Sequence, residues 1–291
     1  MNIVTNPDGS VTLTLTDGTV ITVAPAASVS SPAPSTIPAM PDFPQIFADD
    51  FATGDLSHID PSGCCWAGIN LAAGGGSDAA NGAQVGVINN ALAFTFPAQP
   101  PGGQCIAEQD GYLGALRKAV RVQFSLAVPA NYIHRGGGSQ YPSGTPSSNN
   151  KLLALYRNPN TPGQPVTDWN MVWSMTLCTW PTPIGGSSLG LSLSKEGVEQ
   201  PVIYFASDFI TSADLGKTMT LDVCMVMPDV GQPNGQFWFA KNGSVLLYKG
   251  DCDNQTLGDN LLSSFYLLGA SNSGFTAETV MEVNNVRIFG Q

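Results

Sequence analysis

The sequence predicts an all-β protein built from two packed antiparallel sheets, and three observations carry that prediction. Only 11% of the 291 residues are charged, against 32 Gly and 22 Pro, a composition that suits strands joined by turns. No long segment rich in Ala, Leu, Glu and Lys repeats at helical spacing. The stretch from Gly235 to Gly250, GQFWFAKNGSVLLYKG, sets two short arms around Asn242-Gly243, a dipeptide that closes two-residue hairpin loops by accepting positive φ. Strand alternation puts Phe237 and Phe239 on one side and Trp238 on the other, with Val245 and Leu247 opposing Leu246 and Tyr248. Both faces of this hairpin are apolar, which places it inside a two-sheet sandwich or lining a groove.

Residues 1–23 hold a second hairpin signal, with arms SVTLTL and TVITV around Thr16-Asp17-Gly18. A lone hairpin is marginal in water, so this element packs either on another molecule, as an anchor, or on the edge of the main domain. Residues 24–44 are rich in Ala, Ser and Pro and read as an extended, semi-rigid linker. The main domain is expected over residues 45–291. Strand-like runs recur there at Gln84–Ile88, Ala91–Phe96, Val120–Val128, Leu152–Tyr156, Met171–Thr176, Leu189–Leu193, Val202–Phe205, Thr218–Met227, the hairpin, Ser264–Leu268 and Glu282–Phe289. Many short strands separated by turn signals imply a sandwich or a barrel. Long Gly/Pro/Ser/Asn loops interrupt them, and such loops often carry binding on a rigid scaffold.

Composition narrows the partners. Lys plus Arg is 11 against Asp plus Glu at 22, a net charge of −11, so nothing supplies the basic face that neutralising phosphates requires. Nucleic acid and anionic membranes are disfavoured. The opening MNIVTNPDGS has no basic segment leading into an apolar one, and no run of 18 apolar residues follows, which disfavours classical secretion and membrane insertion. Six cysteines form no C-x-x-C pair, and two histidines in the whole chain leave a zinc site few ligands. Free thiols are the default reading.

Several segments occur in an order that resembles a known family: FADDFATGDLS, then NNKLLALYRNP with Trp169 and Trp173 after it, LGLSLSKEG before VIYF, the NGQFWFAKNGSVLLYKGD hairpin, FYLLGA and a closing VNNVRIFG. This arrangement resembles the jelly-roll domains of polysaccharide lyases, within the wider group of concanavalin A-like lectin/glucanase sandwiches, including such domains in bacteriophage virion proteins. The resemblance covers roughly residues 45–291 and implies two curved antiparallel sheets whose concave face forms a sugar groove. In such lyases a basic or amide group neutralises the uronate carboxylate, on which negative charge develops, while a Tyr, His or Lys removes the α proton. The corresponding candidates here are Lys151, Arg157, Tyr204 and His134. The segment Trp169-Asn-Met-Val-Trp173 carries no Arg where related strands often do, and the E-x-D-x-E spacing of related glucanases does not occur in the sequence, which disfavours glycoside hydrolysis.

Further candidates come from side-chain chemistry. His134, in NYIHRGGG beside Arg135 and after Tyr132, offers either a base and sugar contact or a solvated loop histidine. Trp faces stack on pyranose rings; Trp66, Trp173 and Trp238 read as core, while Trp169 and Trp180, beside turns, are expected to be exposed. Asp251 and Asp253 stand at a spacing that a loop wraps around Ca²⁺, with Asp49 and Asp50 offering two more oxygens. The preferred alternative is a turn in which Asp and Asn bond their own backbone. No other cofactor is expected.

The preferred functional expectation is a structural virion protein, a bacteriophage capsid decoration or tail appendage. It would be assembled in the host cytoplasm and displayed on the virion surface. Residues 1–44 would attach it to other virion proteins, the sandwich would face outward toward host-surface glycans, and a homotrimer would suit a symmetric particle. The alternatives are a stand-alone glycan-binding module and a polysaccharide lyase acting on an acidic glycan by β-elimination, with catalysis the less favoured.

Overall fold

The computed structural model describes residues 2–5, 11–14, 19–23, 37–70, 72–73, 76–77, 82–99, 105–135, 150–157, 172–182, 185–195, 198–199, 204–254, 260–271 and 275–291. No helix occurs among them. The chain divides into two compact units, Met1–Ala39 and Met40–Gln291.

The N-terminal unit contains β1 (Asn2–Thr5), β2 (Val11–Thr14) and β3 (Val20–Val23), an antiparallel sheet in the order β1-β2-β3. The expected hairpin is β2 and β3; its Asp17-Gly18 turn lies outside the described residues. The sheet has one strand more than expected. Asn6-Pro7-Asp8-Gly9 is a turn signal of the same kind, and it separates β1 from β2 in the sequence.

The larger unit runs β4 (Gln45–Asp49), β5 (Cys64–Asn70), β6 (Ala72–Ala73), β7 (Gly76–Ser77), β8 (Gln84–Ile88), β9 (Ala91–Phe96), β10 (Cys105–Arg117), β11 (Ala119–Val128), β12 (Asn150–Arg157), β13 (Val172–Pro181), β14 (Ser187–Lys195), β15 (Val198–Glu199), β16 (Tyr204–Ile210), β17 (Lys217–Val226), β18 (Gly235–Lys241), β19 (Ser244–Cys252), β20 (Leu262–Ser271) and β21 (Thr279–Gly290). Two eight-stranded sheets dominate. The front sheet has the order β15-β14-β13-β12-β20-β10-β5, with β16 also paired to β14; the back sheet has the order β19-β18-β17-β11-β21-β9-β8, with β4 also paired to β21. All strand pairings within them are antiparallel.

The core lies between the sheets. Val120, Val122, Phe124, Leu126 and Val128 of β11 face it, as do Leu153, Leu155, Met175, Leu177, Phe265 and Leu267 of the front sheet. Burying each such side chain contributes about 1.5–3 kcal/mol before chain entropy is counted. In β21 the inward set shifts phase, from Met281 and Val283 to Val286 and Ile288. Asn285, at φ 50°, supplies the extra residue where the register with β11 slips, so both halves of the strand keep their apolar residues inside.

The β18–β19 turn has Asn242 at φ 51° and Gly243 at φ 79°, as a two-residue hairpin loop demands. The hairpin is not internal, however: β19 is the last strand of the back sheet and Leu246 is exposed. Its double-sided apolar pattern has another cause. Trp238 packs its ring 5.2 Å from that of Tyr248 on the outer face, while Lys241 ties the hairpin down by donating to Asp214 Oδ2 at 2.7 Å and to the Phe209 carbonyl at 2.9 Å. Beyond β1, the strands β5, β6, β7, β10 and β15 were not expected.

Candidate functional site

Strand β10, CIAEQDGYLGALR, is buried at each of its first nine positions. Cys105, Ala107 and Leu113 face the core, so alternation sends Ile106, Glu108, Asp110 and Tyr112 to the outer face. Gln109 is also buried, and its amide reaches the carbonyls of Ala67 at 3.1 Å and Gly68 at 3.2 Å. That contact seals the point where the register with β5 slips between Gln109 and Gly111.

The outer face continues across β20, β12, β13 and β14. Tyr156 and Tyr266 form an aromatic pair with centroids 6.2 Å apart, clustered with Ala154. Thr176 and Ser192 are paired across β13 and β14, and the neighbouring Ser174 and Ser194 are buried with no hydrogen-bond partner for either hydroxyl. Five adjacent strands make this face on the order of 20 Å wide, at roughly 4.8 Å per strand. Small side chains line one half and acids and phenols the other.

Asp110 is the centre of the acidic half. Tyr156 donates its hydroxyl to Asp110 Oδ1 at 3.4 Å, and Glu108, also buried, stands two residues away on the same face of β10. Burial pushes the Asp110 carboxyl well above the usual carboxylate range, to about 7, although the bonds from Tyr156 and Glu108 pull the other way. Burial also lifts the phenol of Tyr156, helped by the charges of Asp110 and Glu108. Tyr112 is pushed up to about 12, by burial and then by Asp110. Its hydroxyl is buried and has no hydrogen-bond partner.

A backbone irregularity sits beside this cluster. Between the pairs Asn150↔Ser271 and Leu153↔Leu267, two residues of β12 face three of β20, with Leu268 at φ 55° and Gly269 at φ 125°. A buried leucine at positive φ costs of order 1–3 kcal/mol. A Cβ on Gly269 would lie 2.8 Å from Glu108 Oε2 and 3.3 Å from Lys151 Cβ. The bulge thus makes room for the Glu108 carboxyl, and bulges recur beside functional sites.

The residues expected from the sequence fall into different settings. Lys151 is half-buried on β12, its ammonium 3.4 Å from Cys178 Sγ. His134 is not a solvated loop residue: it is buried, with Nδ1 2.8 Å from Ser187 Oγ, and the same oxygen lies 2.7 Å from the hydroxyl of buried Tyr132. This Tyr132–Ser187–His134 cluster pins the segment after β11 to the start of β14. Arg135 is half-buried beside it. Trp180, expected to be exposed, is 3% exposed, because β13 runs on past it and pairs it with Ser188. Trp66 donates Nε1 to Asp49 Oδ2 at 2.7 Å and packs on Phe51 and Phe265, a core role. Trp169 and the side chains of Arg157, Trp173 and Tyr204 lie outside the described residues.

The Ca²⁺ candidates have other partners. Asp251 pairs with Lys249 and Asp253 with Lys195, the latter at 2.8 Å. Asp49 and Asp50 accept from the backbone N–H groups two residues on, at 2.7 and 3.0 Å. Among the described residues no group of three or more His, Cys, Asp or Glu side chains is placed to hold a metal. None of the six cysteines is in a disulfide.

The sequence matches no protein-family model and no curated protein. Solved structures do match. The endo-β-1,4-glucuronan lyase of the fungus Trichoderma reesei aligns over 85% of this chain and 96% of its own, with a TM-score of 0.57 at 12% identity. A variant of alginate lyase Aly36B in complex with alginate tetrasaccharide aligns over 87% of this chain and 98% of its own, with a TM-score of 0.54 at 13% identity. The fold is the concanavalin A-like jelly roll. Within that fold, the Glu108-Asp110-Tyr112 face was missed by the sequence reading, although Glu108-x-Asp110 is two-thirds of the E-x-D-x-E spacing. Tyr112 stands where the third acid would be.

Proposed function

We propose that this chain binds glycan on the outer face of its front sheet, around Glu108, Asp110, Tyr112 and Tyr156. One observation carries the reading. This face buries two acids, Glu108 and Asp110, next to the phenol of Tyr112, which has no hydrogen-bond partner, an arrangement that costs stability and that a purely structural sheet would replace with apolar residues. Carboxyls, phenols and serine hydroxyls are the groups that recognise sugar hydroxyls. The likeness of the fold to lyases that act on polysaccharides supports the same reading.

Elimination chemistry is less well supported. It needs a cation or amide against the uronate carboxylate, whereas the centre of this face is acidic. Binding is measured by titration calorimetry of the full chain against glycan libraries, with the Asp110→Asn/Tyr112→Phe double variant as control. Affinity that the double variant retains would remove this face from the reading. Incubation with alginate or glucuronan, followed by the absorbance of unsaturated uronate, tests elimination directly.

A second reading concerns attachment. Residues 1–39 form a compact unit of their own, which supports their use as a grip on a larger assembly, a virion surface among them, with the sandwich displayed. A chain lacking residues 1–44 would then stay folded and glycan-competent yet no longer join particles; unimpaired assembly would count against it.

A further inference from the structure

The strands that end the two large sheets are of unequal character. β19 carries Lys249 and Asp251 as an ion pair, β15 is two residues long and ends in Glu199, β16 carries Asp208 at φ 66°, and β5 is bridged at Cys65 by Ile59. Charge, short length, irregular backbone and cover are the devices that keep a terminal strand from accepting another. β8 has none of them. It is the last strand of the back sheet, its outer edge has no partner among the described residues, and no charged residue stands between Asp78 and Glu108 in the sequence. Val85 and Val87 pack against the core, Ile88 is 52% exposed, and a Cβ on Gly86 would meet open space.

The backbone of that edge is self-complementary. Asn89 and Asn90, at φ 52° and 60°, close a two-residue turn that makes Ile88 and Ala91 a hydrogen-bonded pair. Alternation then directs the N–H and C=O groups of Gln84, Gly86 and Ile88 toward β9, and those of Val85 and Val87 toward the open edge. A second β8 laid antiparallel, with Gly86 opposite Gly86, uses every outward group: Val85 of each copy exchanges both hydrogen bonds with Val87 of the other. The same register sets valine against valine on the core side and places Gln84 of one copy beside the exposed Ile88 of the other. Gly86 falls in the non-hydrogen-bonded pair at the centre, where strands approach to about 4.5 Å between Cα atoms, and it has no side chain to collide. We infer that the chain pairs with a second copy of itself through β8, joining the two back sheets into one continuous sheet. An isologous contact of this kind closes at two copies. Its dyad stands perpendicular to the joined sheet, so both front sheets lie on the same side and the two candidate glycan faces point the same way, which favours multivalent binding. The contact itself is independent of what that face binds.

Pairing of 5 residues a side buries less than a standard interface, so the association is weak and reversible. Sedimentation velocity of the full-length chain at physiological ionic strength, from about 1 to about 100 μM, should show monomer giving way to dimer. Val87→Pro removes an outward N–H from each copy without touching the β8–β9 ladder and should weaken dimerisation about tenfold. Gly86→Lys, at a position where a side chain meets open space and the fold is kept, sets two ammonium groups face to face across the dyad and should weaken it severalfold. Register is read by cross-linking: with diamide as oxidant, Gly86→Cys should give a covalent dimer, since its two copies stand within disulfide reach, whereas Gln84→Cys should not. A chain that stays monomeric up to about 100 μM would overturn the inference. A dimer that Val87→Pro and Gly86→Lys both leave intact would place the contact elsewhere and overturn it equally, and cross-linking as efficient at position 84 as at 86 would overturn the pairing about Gly86.

Discussion

The two sheets solve the same packing problem on their inner faces and differ on their outer ones. Strand β11, near the middle of the back sheet, alternates between buried and half-buried along its length. Its outward polar groups satisfy one another: Arg121 donates to both oxygens of Asp222 at 2.8 and 2.6 Å, Gln123 adds a third contact at 3.2 Å, and the guanidinium lies over the Phe289 ring. Strand β10, in the front sheet, has its outward acids and phenols buried, with one hydroxyl, that of Tyr112, that has no partner. Both strands present polar side chains outward, but only β10 does so at a standing cost to stability. A cost of that kind, set in a sheet whose other face is well packed, marks the part of the molecule that stability did not design.

The largest expected effect contrasts two glycines. Gly269→Ala forces a Cβ against Glu108 Oε2 at φ 125°, a conformation that L side chains rarely adopt. It should lower stability by about 2–4 kcal/mol and disturb the acid pair. Gly86→Ala, in β8 of the back sheet, meets open space and should raise stability by about 0.5–1 kcal/mol, as expected when a strand glycine gains a side chain. Urea unfolding of both variants measures the difference; equal effects would remove the special role of the bulge.

Next in size is a contrast in pH dependence between two aspartates. Asp110 has its pKa raised in the folded state, so folding favours its protonated form. Its contribution is fully present below pH 4 and is lost as pH rises through about 7, by an amount on the order of a few kcal/mol. Asp214 behaves oppositely. Burial pulls it up, but hydrogen bonds from Lys241 and Thr211 outweigh that and hold it below the usual range, so its contribution is present above pH 4 and lost as pH falls further. Asp110→Asn should therefore flatten the decline of stability between pH 4 and 7, while Asp214→Asn should flatten the decline on the acid side. Unfolding midpoints across pH 2.5–8 report both, and a wild-type-like slope in Asp110→Asn between pH 4 and 7 would contradict the upward push that burial gives Asp110.

The same asymmetry decided what could be read from the sequence. Strands β8 and β9 are legible residue for residue, as a pair of short apolar runs around Asn89-Asn90, and most of β11, β17 and β21 likewise, where a half-wet strand such as β11 advertises itself by alternation. The Asn242-Gly243 turn was legible because its conformation admits few other residues. Strand β10 was not: Glu108-Gln109-Asp110 followed by glycine looks like a loop when nothing shows that both faces are covered. The signal was nevertheless present as Glu108, Asp110 and Tyr112 at period two. Trp180 and His134 were misplaced for a related reason, since proximity to Gly- and Pro-rich segments suggested exposure, whereas cross-strand pairing with Ser188 and hydrogen bonding to Ser187 fix their burial. Local composition does not reveal which strand or side chain lies on top.

A smaller effect separates hydroxyls that serve the fold from those that do not. Removing the Tyr112 hydroxyl deletes a buried polar atom that has no partner, so Tyr112→Phe should leave stability unchanged or raise it by up to about 1 kcal/mol while weakening glycan binding. Tyr132→Phe instead deletes the 2.7 Å contact with Ser187 and should cost about 1 kcal/mol with binding intact. Opposite signs in denaturation paired with opposite outcomes in calorimetry would separate a residue kept for its ligand from one kept for its fold. Matching signs would make the two tyrosines equivalent and dissolve the distinction between the outer face of the front sheet and the rest of the molecule.

The smallest effect is a footprint. Cys65 is half-exposed across from Tyr112, and the other five cysteines are buried; burial also lifts the Cys65 thiol above its ordinary pKa, so alkylation at pH 8 is slow and selective for this one site. A sugar lying over Tyr112 would cover the neighbouring Cys65 and should slow its labelling severalfold at saturation, read by intact-mass spectrometry. The Tyr112→Phe variant should need correspondingly more sugar for the same protection. Labelling that stays constant while calorimetry reports binding would put the ligand on the back sheet, whose outer face already satisfies its own polar groups.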